Sequence, residues 1–319
     1  MPSGWRKLPA APVRLVFGDV EMQETPYRIF NVHLVERQLL TPNMARLVFG
    51  GPDLAAMMAC APDQRIKLFL PHADGTPPTL PVHPDYYKLY RSLPPRERAP
   101  MRTYTIRAVD PIARRLVIDF VIHGDSGPAS RWAMFARPDD RIQISGPNGR
   151  YEGEIGGFDW EPPASLTHLL IIGDETALPA IAGILELIDG WKTKPRAQVS
   201  IELPSPDDAQ DLPVWAGLDL RWMPREPSNH PHGAPMIEAA LAADIPREAV
   251  GSTTAQVPSV DVDNDTLWDR AQANSNFYGW IAGETAAVSR IRTHFLVERG
   301  IDRSHLTMMG YWRHGKAHA

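Results

Sequence analysis

Residues 101–110 read Met-Arg-Thr-Tyr-Thr-Ile-Arg-Ala-Val-Asp. Aromatic and β-branched side chains are frequent here and alternate with others, which predicts a β-strand over 102–109. Arg102, Tyr104 and Thr105 place a cation, an aromatic ring and a hydroxyl close together. A flavin dinucleotide needs these groups for its pyrophosphate, its ring system and its reactive ring nitrogen. The alternative is a surface strand with ordinary cross-strand pairs.

Five other short stretches around this one also have the pattern of strands. They cover residues 28–36, 44–50, 65–70, 115–122 and 141–145. Six short strands with little helical pattern predict a small antiparallel β-barrel. Residues 1–26 are Pro-rich and are expected to form an irregular arm. The stretch 71–100 reads as a loop, and a loop of this length is usually functional or disordered.

The hydrophobic period changes near residue 160. Gly156-Gly157 and Glu161-Pro162-Pro163 are typical of a boundary, so we expect one domain over 1–160 and a second over 161–319. Predicted strands at 168–172, 197–203, 277–282 and 305–310 alternate with predicted helices at 177–189, 235–243 and 286–299. This alternation indicates an α/β domain with a parallel sheet. The acidic stretch 252–266 is expected to be a loop.

Composition excludes several classes of function. The 319 residues carry a formal net charge of −5, which favours neither nucleic acid nor an anionic membrane as partner. A single cysteine, Cys60, excludes an internal disulfide and a four-cysteine metal site. No signal-peptide stretch and no apolar run approaching ~18 residues is found, so we expect a cytoplasmic protein without membrane insertion.

The histidines form two pairs that look like metal ligands on paper. These are His230 with His232, and His314 with His318. Neither pair has an acidic or cysteine partner at ligand spacing, so a solvent-exposed loop and tail are expected and no metal site is predicted. Redox chemistry in this chain would then depend on an organic cofactor or on a metal carried by the substrate.

A glycine-containing turn follows the predicted strand at 115–122. Residues 123–132 read His-Gly-Asp-Ser-Gly-Pro-Ala-Ser-Arg-Trp and lead into a short helical piece. Glycines allow close approach of the backbone, and free N–H groups at a helix start bind anions. This turn could hold a dinucleotide pyrophosphate beside Arg102. A glycine-rich hairpin before a capped turn is the alternative.

Two similar turns follow predicted parallel strands, Gly173-Asp174-Glu175-Thr176-Ala177 and Gly283-Glu284-Thr285-Ala286. Ligands bind in the crevice outside such strand ends. The carboxylates would repel a pyrophosphate placed directly on the turn, so structural helix caps are the alternative. Glu202 ends another predicted strand, where an acid can bind a ribose hydroxyl, while Arg225 or Arg196 could accept a 2′-phosphate.

Taken together, these motifs and the tail Gly310-Tyr311-Trp312-Arg313-His314-Gly315 resemble the siderophore-interacting proteins, ferric-siderophore reductases of the ferredoxin–NADP reductase superfamily. The resemblance covers the chain from about Tyr27 to Lys316. It implies a six-stranded FAD-binding β-barrel followed by an NAD(P)H-binding α/β domain. It also implies an enzyme that passes electrons from NADPH or NADH through FAD to iron held by a siderophore, which releases ferrous iron.

The resemblance also implies roles for individual residues. Tyr104 and Thr105 would be catalytic, at the flavin ring and its redox-active nitrogen. The other residues implied to bind FAD are Arg102, Thr103, His123, Gly124, Pro128, Ala129, Ser130 and Trp132. Those implied to border the nicotinamide cofactor or to close over the flavin are Gly173, Asp174, Thr176, Ala177, Gly283, Glu284, Thr285, Tyr311 and Trp312. For an anionic ferric siderophore we expect a cationic site drawn from Lys67, Arg131, Arg313 and Lys316, with residues 86–91 as a lid.

Two other functions are compatible with the same motifs. The first is a flavin or quinone reductase, because a fold does not determine its substrate. The second is a siderophore-binding, iron-release module without efficient hydride transfer, which the acidic turns favour. The expected state is a monomer, and a protein electron donor in place of NAD(P)H is a further alternative.

Overall fold

A computed structural model describes residues 24–125, 127–251, 267–272 and 275–315. Lys316, most of the expected N-terminal arm and the expected loop at 252–266 lie outside the described residues. The chain divides into two compact units between Phe158 and Asp159, with the turn at 41–43 grouped with the second unit.

The first unit is built on one curled antiparallel sheet. Its strands are β1 (Tyr27–Thr41), β2 (Met44–Gly50), β3 (Arg65–Phe69), β4 (Met101–Thr105), β5 (Ala108–Asp110), β6 (Arg115–Val121) and β7 (Arg141–Pro147), and its helices are α1 (Tyr86–Ser92) and α2 (Pro128–Phe135). The strand order is β4-β3-β7-β1-β2-β6-β5. Alternate residues of these strands, including Phe30, Leu47, Ile118 and Ile144, are buried in one core. The expected antiparallel, barrel-like architecture is confirmed.

The strand count differs from the expected six because the predicted strand 102–109 is two strands. β4 pairs with β3, whereas β5 pairs with β6. The backbone changes partner between them: Ile106 N donates to Gln64 O, and Arg107 N donates to Val117 O. The sequence pattern is continuous across this point because both short strands keep the same alternation.

The stretch 71–100 contains a helix that its composition did not predict. Tyr86 and Tyr90 of α1 are buried in a second apolar cluster with Ile29, Phe69 and Met101. The Tyr86 hydroxyl bonds to Ser145, and the Tyr90 hydroxyl donates to the carbonyl of Ala99. These two tyrosines are therefore packed against the sheet, which does not support the expected lid at 86–91.

The second unit is an α/β domain with helices beside a mostly parallel sheet. Its strands are β8 (His168–Gly173), β9 (Arg196–Leu203), β10 (Leu218–Pro224), β11 (Trp268–Asp269), β12 (Phe277–Glu284) and β13 (Leu306–Trp312), and its helices are α3 (Leu178–Asp189), α4 (Ala234–Ala242) and α5 (Thr285–Thr293). The strand order is β10-β9-β8-β12-β13-β11. All neighbours are parallel except β11, which runs antiparallel to β13. The expected α/β class is confirmed.

Two strands of this sheet were not predicted. In β10 the charged side chains of Asp219 and Arg221 are exposed and alternate with Leu218 and Leu220, as suits an edge strand. β11 has only two residues, too few to produce a sequence pattern. The helix expected over 286–299 is α-helical only to Thr293 and continues as a π-helical turn, His294–Glu298.

Across the described ranges no helix is both long and apolar enough to span a bilayer.

Candidate cofactor sites

The stretch at 102–105 forms β4, and its side chains lie on two faces of the sheet. The Tyr104 ring packs on Phe120 with the ring centroids 4.3 Å apart, while Arg102 Nη1 donates to the carbonyl of Met101 at 2.8 Å. Burial raises the pKa of Tyr104 far above its ordinary value, so its phenol stays protonated. Thr105 is buried. A fixed ring and a fixed cation on one strand are suited to holding an aromatic anion.

Lys67 lies opposite Thr103 in the neighbouring strand β3. Its Nζ is 3.5 Å from Thr103 Oγ1. Burial, together with the nearby charge of Arg65, lowers the pKa of Lys67 below its ordinary value. Of the cations expected to bind the substrate, Lys67 therefore lies beside β4, on the face of the sheet opposite Tyr104.

The turn after β6 is held together by Ser130. Its hydroxyl is buried, accepts a hydrogen bond from His123 N at 3.0 Å and donates to Gly124 O at 2.6 Å. The hydroxyl expected to bind pyrophosphate is thus committed to the turn itself. Gly124 has a φ of 80°, which favours glycine.

The N-terminus of α2 has backbone donors that could bind a ligand. The cap residue is Gly127, which has no side chain to cap the helix, and Pro128 has no N–H. The backbone N–H groups of Ala129 and Ser130 are in the first turn, where intrahelical acceptors are lacking. Trp132, one turn further on, stacks on Phe49 at 5.9 Å.

A cavity of about 800 Å³ opens beside this helix start. Its lining includes Pro71, His72, Gly127, Arg131, Trp132 and Phe135. Arg131 is therefore placed at the cavity. First-turn N–H groups, a nearby arginine and a partly apolar cavity fit the pyrophosphate and adenosine of a dinucleotide such as FAD.

In the second unit, Asp174 links three strand ends. Its Oδ1 accepts from Thr176 N at 2.9 Å and from Thr176 Oγ1 at 2.5 Å. Its Oδ2 accepts from Glu284 N at 2.8 Å and from Trp312 Nε1 at 2.7 Å. Asp174 is only 1% exposed. The carboxylate expected to border a cofactor is instead buried and fully used by the protein.

Desolvation is the main reason that the pKa of Asp174 is raised, to about 7. The charge of Glu175 adds to this shift, whereas the hydrogen bonds from Thr176 and Trp312 oppose it. The space around Asp174 is closed, because a Cβ on Gly283 would lie 2.7 Å from Asp174 Oδ2. The absence of a side chain at Gly283 therefore leaves room for the Asp174 carboxylate.

Glu175, Arg225 and Glu202 form a buried triad. Arg225 donates to both oxygens of Glu175, at 2.7 and 2.9 Å, and to Glu202 Oε1 at 2.8 Å. Burial alone would lower the pKa of Arg225, but its bonds to the two carboxylates outweigh this and raise it. For the Glu202 carboxyl, burial has the opposite effect from that on Arg225 and raises the pKa.

The Glu202 carboxylate also accepts hydrogen bonds from the start of helix α4. Its carboxylate accepts from Gly233 N at 2.9 Å and from Met236 N at 3.3 Å. The expected ribose acid and the expected phosphate-binding Arg225 are thus bound to each other and to a helix start. Arg196, the other candidate, begins β9 and lies at the opposite end of the sheet.

Glu284 caps the next helix in the same way. Its Oε2 accepts from Ala287 N at 3.0 Å, in the first turn of α5, and its Oε1 accepts from His314 N at 3.2 Å. Thr285 Oγ1 donates to the carbonyl of Trp312 at 2.8 Å. Ala177 is fully buried and packs beside Gly173. The described contacts of the turns at 173–177 and 283–286 are thus explained by the alternative interpretation, in which they are structural helix caps.

The aromatic residues of the tail lie in different surroundings. Tyr311 stacks on Trp268 at 6.1 Å and meets Trp280 edge-on at 6.3 Å. Trp312 is half-buried and contacts the rings of His232 at 5.2 Å and His314 at 6.2 Å. The two histidines are exposed, as expected, but their rings are only 5.4 Å apart. Sequence reasoning missed this pairing, because the residues are far apart in the chain.

Arg313, a further expected substrate cation, follows Trp312 and is half-buried. Across the described ranges, no group of three or more His, Cys, Asp or Glu side chains is placed to hold a metal ion.

Comparison with known proteins identifies the class of both units. Residues 33–151 match the siderophore-interacting FAD-binding domain, and residues 166–315 match the siderophore-interacting protein domain. The chain belongs to the siderophore-interacting protein family, and its fold is ferredoxin reductase-like.

Individual relatives span nearly the whole chain. An uncharacterized protein from Mycobacterium tuberculosis is 31% identical over 92% of this chain and 93% of its own length. The NADPH-dependent ferric-chelate reductase of Escherichia coli is 29% identical over 90% of this chain and 92% of its own. The crystal structure of a siderophore utilization protein from T. fusca is 27% identical, covers 93% of this chain and 98% of that one, and has a TM-score of 0.67.

Proposed function

We propose that this chain is an FAD-dependent ferric-siderophore reductase that draws its electrons from NADPH. The observation that carries the proposal is the start of α2, where first-turn N–H groups of Ala129 and Ser130 adjoin the cavity lined by Arg131 and Trp132. The names of the relatives support the choice of substrate and electron donor. FAD belongs to the first unit in this proposal, and NADPH to the second.

The residues of the first unit have distinct proposed roles. The N–H groups of Ala129 and Ser130, with Arg102, bind the phosphates, and Gly124 allows the turn to approach them. Tyr104 lies against the flavin ring, and Thr105 is the hydroxyl nearest its reactive nitrogen. Ser130 keeps the turn in shape through His123 and Gly124. Trp132 packs against the proposed FAD site.

FAD bound at this site would link a nicotinamide, which donates two electrons at once, to ferric iron, which accepts one electron at a time. One NADPH then reduces two ferric chelates to give NADP⁺, one proton and two ferrous ions. The siderophore supplies the iron ligands, so the protein's task is to bind and orient its partners.

The cations proposed for an anionic ferric siderophore are Lys67, Arg131, Arg313 and Lys316. Lys67 and Arg131 are cations of the first unit, at β3 and at the cavity respectively. We also propose a cytoplasmic, monomeric protein, with the FAD domain over 1–160 and the NADPH domain over 161–319.

A second candidate is a siderophore-binding module that receives electrons from a protein donor. The observation that favours it is the set of carboxylates Asp174, Glu202 and Glu284, which occupy the N–H groups at the strand ends where a dinucleotide phosphate would bind. A flavin or quinone reductase would differ from the proposed ferric-siderophore reductase only in the molecule that accepts the electrons.

The test measures ferrous iron trapped by a Fe(II)-specific chelator, with NADPH as donor and a ferric siderophore as acceptor. We expect FAD-dependent production of about two Fe(II) per NADPH oxidised. Chelate binding without NADPH oxidation would favour the second candidate, and oxidation with free flavin or quinone alone would favour the reductase of those compounds.

A further inference from the structure

We propose that Asp174 is a positioning residue that sets the orientation of the Trp312 indole at the nicotinamide end of the second unit, without touching the cofactor itself. This inference rests on the proposed function for the role of Trp312. It assigns Asp174 a task that differs from direct cofactor binding.

Trp312 lies at the carboxyl end of the parallel sheet. It is the last residue of β13, and β13 pairs with the parallel strand β12 up to Glu284. Ligands of open α/β sheets bind outside such strand ends. Trp312 is half-buried there, so the residue keeps some exposed surface at the strand ends.

The indole of Trp312 is contacted from several sides. Its Nε1 donates to Asp174 Oδ2 at 2.7 Å, and its backbone carbonyl accepts from Thr285 Oγ1 at 2.8 Å. The rings of His232 and His314 meet the indole at steep angles of 86° and 64°. Of these partners, only the carboxylate binds the indole N–H, and therefore sets the rotation of the ring about its side-chain bonds.

Asp174 is buried and is held by four hydrogen bonds. Its four accepted bonds come from three places in the chain: Thr176, Glu284 and Trp312. A Cβ on Gly283 would overlap its carboxylate. A buried group with satisfied oxygens cannot bind a dinucleotide, but it can transmit the geometry of β8 and β12 to the tail.

Asparagine cannot replace Asp174 in this role. In one orientation its amide N–H₂ group faces the two donors Glu284 N and Trp312 Nε1, and in the other it faces Thr176 N. Phenylalanine at 312, by contrast, keeps a smaller aromatic ring and removes the N–H that Asp174 binds. Asp174→Asn and Trp312→Phe therefore break the same contact from its two ends.

The first test is the rate of flavin reduction by NADPH in the FAD-loaded protein. We expect Asp174→Asn and Trp312→Phe each to slow it roughly 10- to 100-fold, as misplacement of a reacting group does. The double variant should be no slower than the slower single variant. The matched control, Trp215→Phe, loses a comparable indole bond, to the carbonyl of Pro195, and should react at the wild-type rate. Multiplying effects in the double variant would overturn the proposal.

The second test does not depend on activity. The indole ¹⁵N–H signal of Trp312, identified by its loss in Trp312→Phe, should be protected from solvent exchange in the wild type and unprotected in Asp174→Asn. If Asp174→Asn fails to fold, rapid exchange of this signal in the wild type would still refute the contact. A wild type that reduces no ferric chelate would contradict the proposed function, while the exchange result would continue to test Asp174 separately.

Discussion

Arg225 Nη1 donates a 2.8 Å hydrogen bond to Glu202 Oε1, and both side chains are buried. The two residues that sequence reasoning assigned to opposite coenzyme preferences, one for a ribose hydroxyl and one for a 2′-phosphate, therefore bind each other. Arg225 is shared with Glu175, so both residues belong to one buried triad.

We predict that Arg225→Met lowers the free energy of unfolding by about 3–5 kcal/mol, because it leaves two buried carboxylates without their counter-ion. Urea unfolding measures this loss. The matched control is Arg221→Met, which breaks an exposed pair with Asp219 and should cost under about 1 kcal/mol. The ratio of kcat/KM for NADPH and NADH should stay unchanged in Arg225→Met, and a strong shift toward NADH would show that Arg225 does contact the 2′-phosphate.

Arg102 and Thr105 are predicted to have separable roles within one short strand. Arg102→Ala should raise the Kd for FAD by about tenfold or more, the value of a charge-assisted hydrogen bond. Thr105→Val keeps the buried shape of the side chain, so FAD should remain bound while its reduction potential changes. Titration with FAD and a redox titration measure the two effects. Variants that behave alike would show that the division of roles within 102–105 is wrong.

The pKa of Asp174 predicts part of the pH dependence of stability. In the folded protein this pKa is raised to about 7, whereas an unfolded aspartate titrates at about 3.9. The folded state therefore binds more protons between those two values, and stability falls as pH rises through this window and levels off above it. Asp174→Asn should flatten the curve of unfolding free energy between about pH 4 and pH 7. An unchanged slope in the variant would mean that Asp174 is ionised throughout.

Lys67 is predicted to attract an anionic ferric chelate. Lys67→Ala should raise the apparent KM for an anionic chelate by several-fold and that for a neutral chelate little, since the lost interaction is between charges. Lys316→Ala provides the parallel variant in the tail. Because burial and Arg65 lower the pKa of Lys67, its contribution should disappear at a lower alkaline pH than that of an exposed lysine. Equal effects on both chelates would contradict the assignment.

The strand at 102–105 and the turn before α2 could be predicted because each depends on neighbours in the sequence. Alternation defines a strand locally, and Gly127 with Pro128 defines the start of a helix. The division of 102–109 could not be predicted, because it depends on two distant carbonyls: Gln64 O accepts from Ile106 N, and Val117 O accepts from Arg107 N.

The contacts of the acidic turns in the second unit were even harder to predict from the sequence. The sequence left open whether Asp174 and Glu175 point toward a cofactor or away from it. Their partners Trp312 and Arg225 are 138 and 50 residues away in the chain. The parallel sheet brings these residues together at the carboxyl ends of its strands. The inward direction of the two carboxylates can therefore be seen only in the folded structure.

The measurement that tests the central claim most directly is the visible absorbance spectrum of the FAD-loaded protein under anaerobic conditions. We predict that NADPH bleaches the flavin bands and that a ferric siderophore then restores them while ferrous iron appears. A protein that takes up no FAD, or a bleached flavin that a ferric siderophore does not reoxidise, would contradict the account.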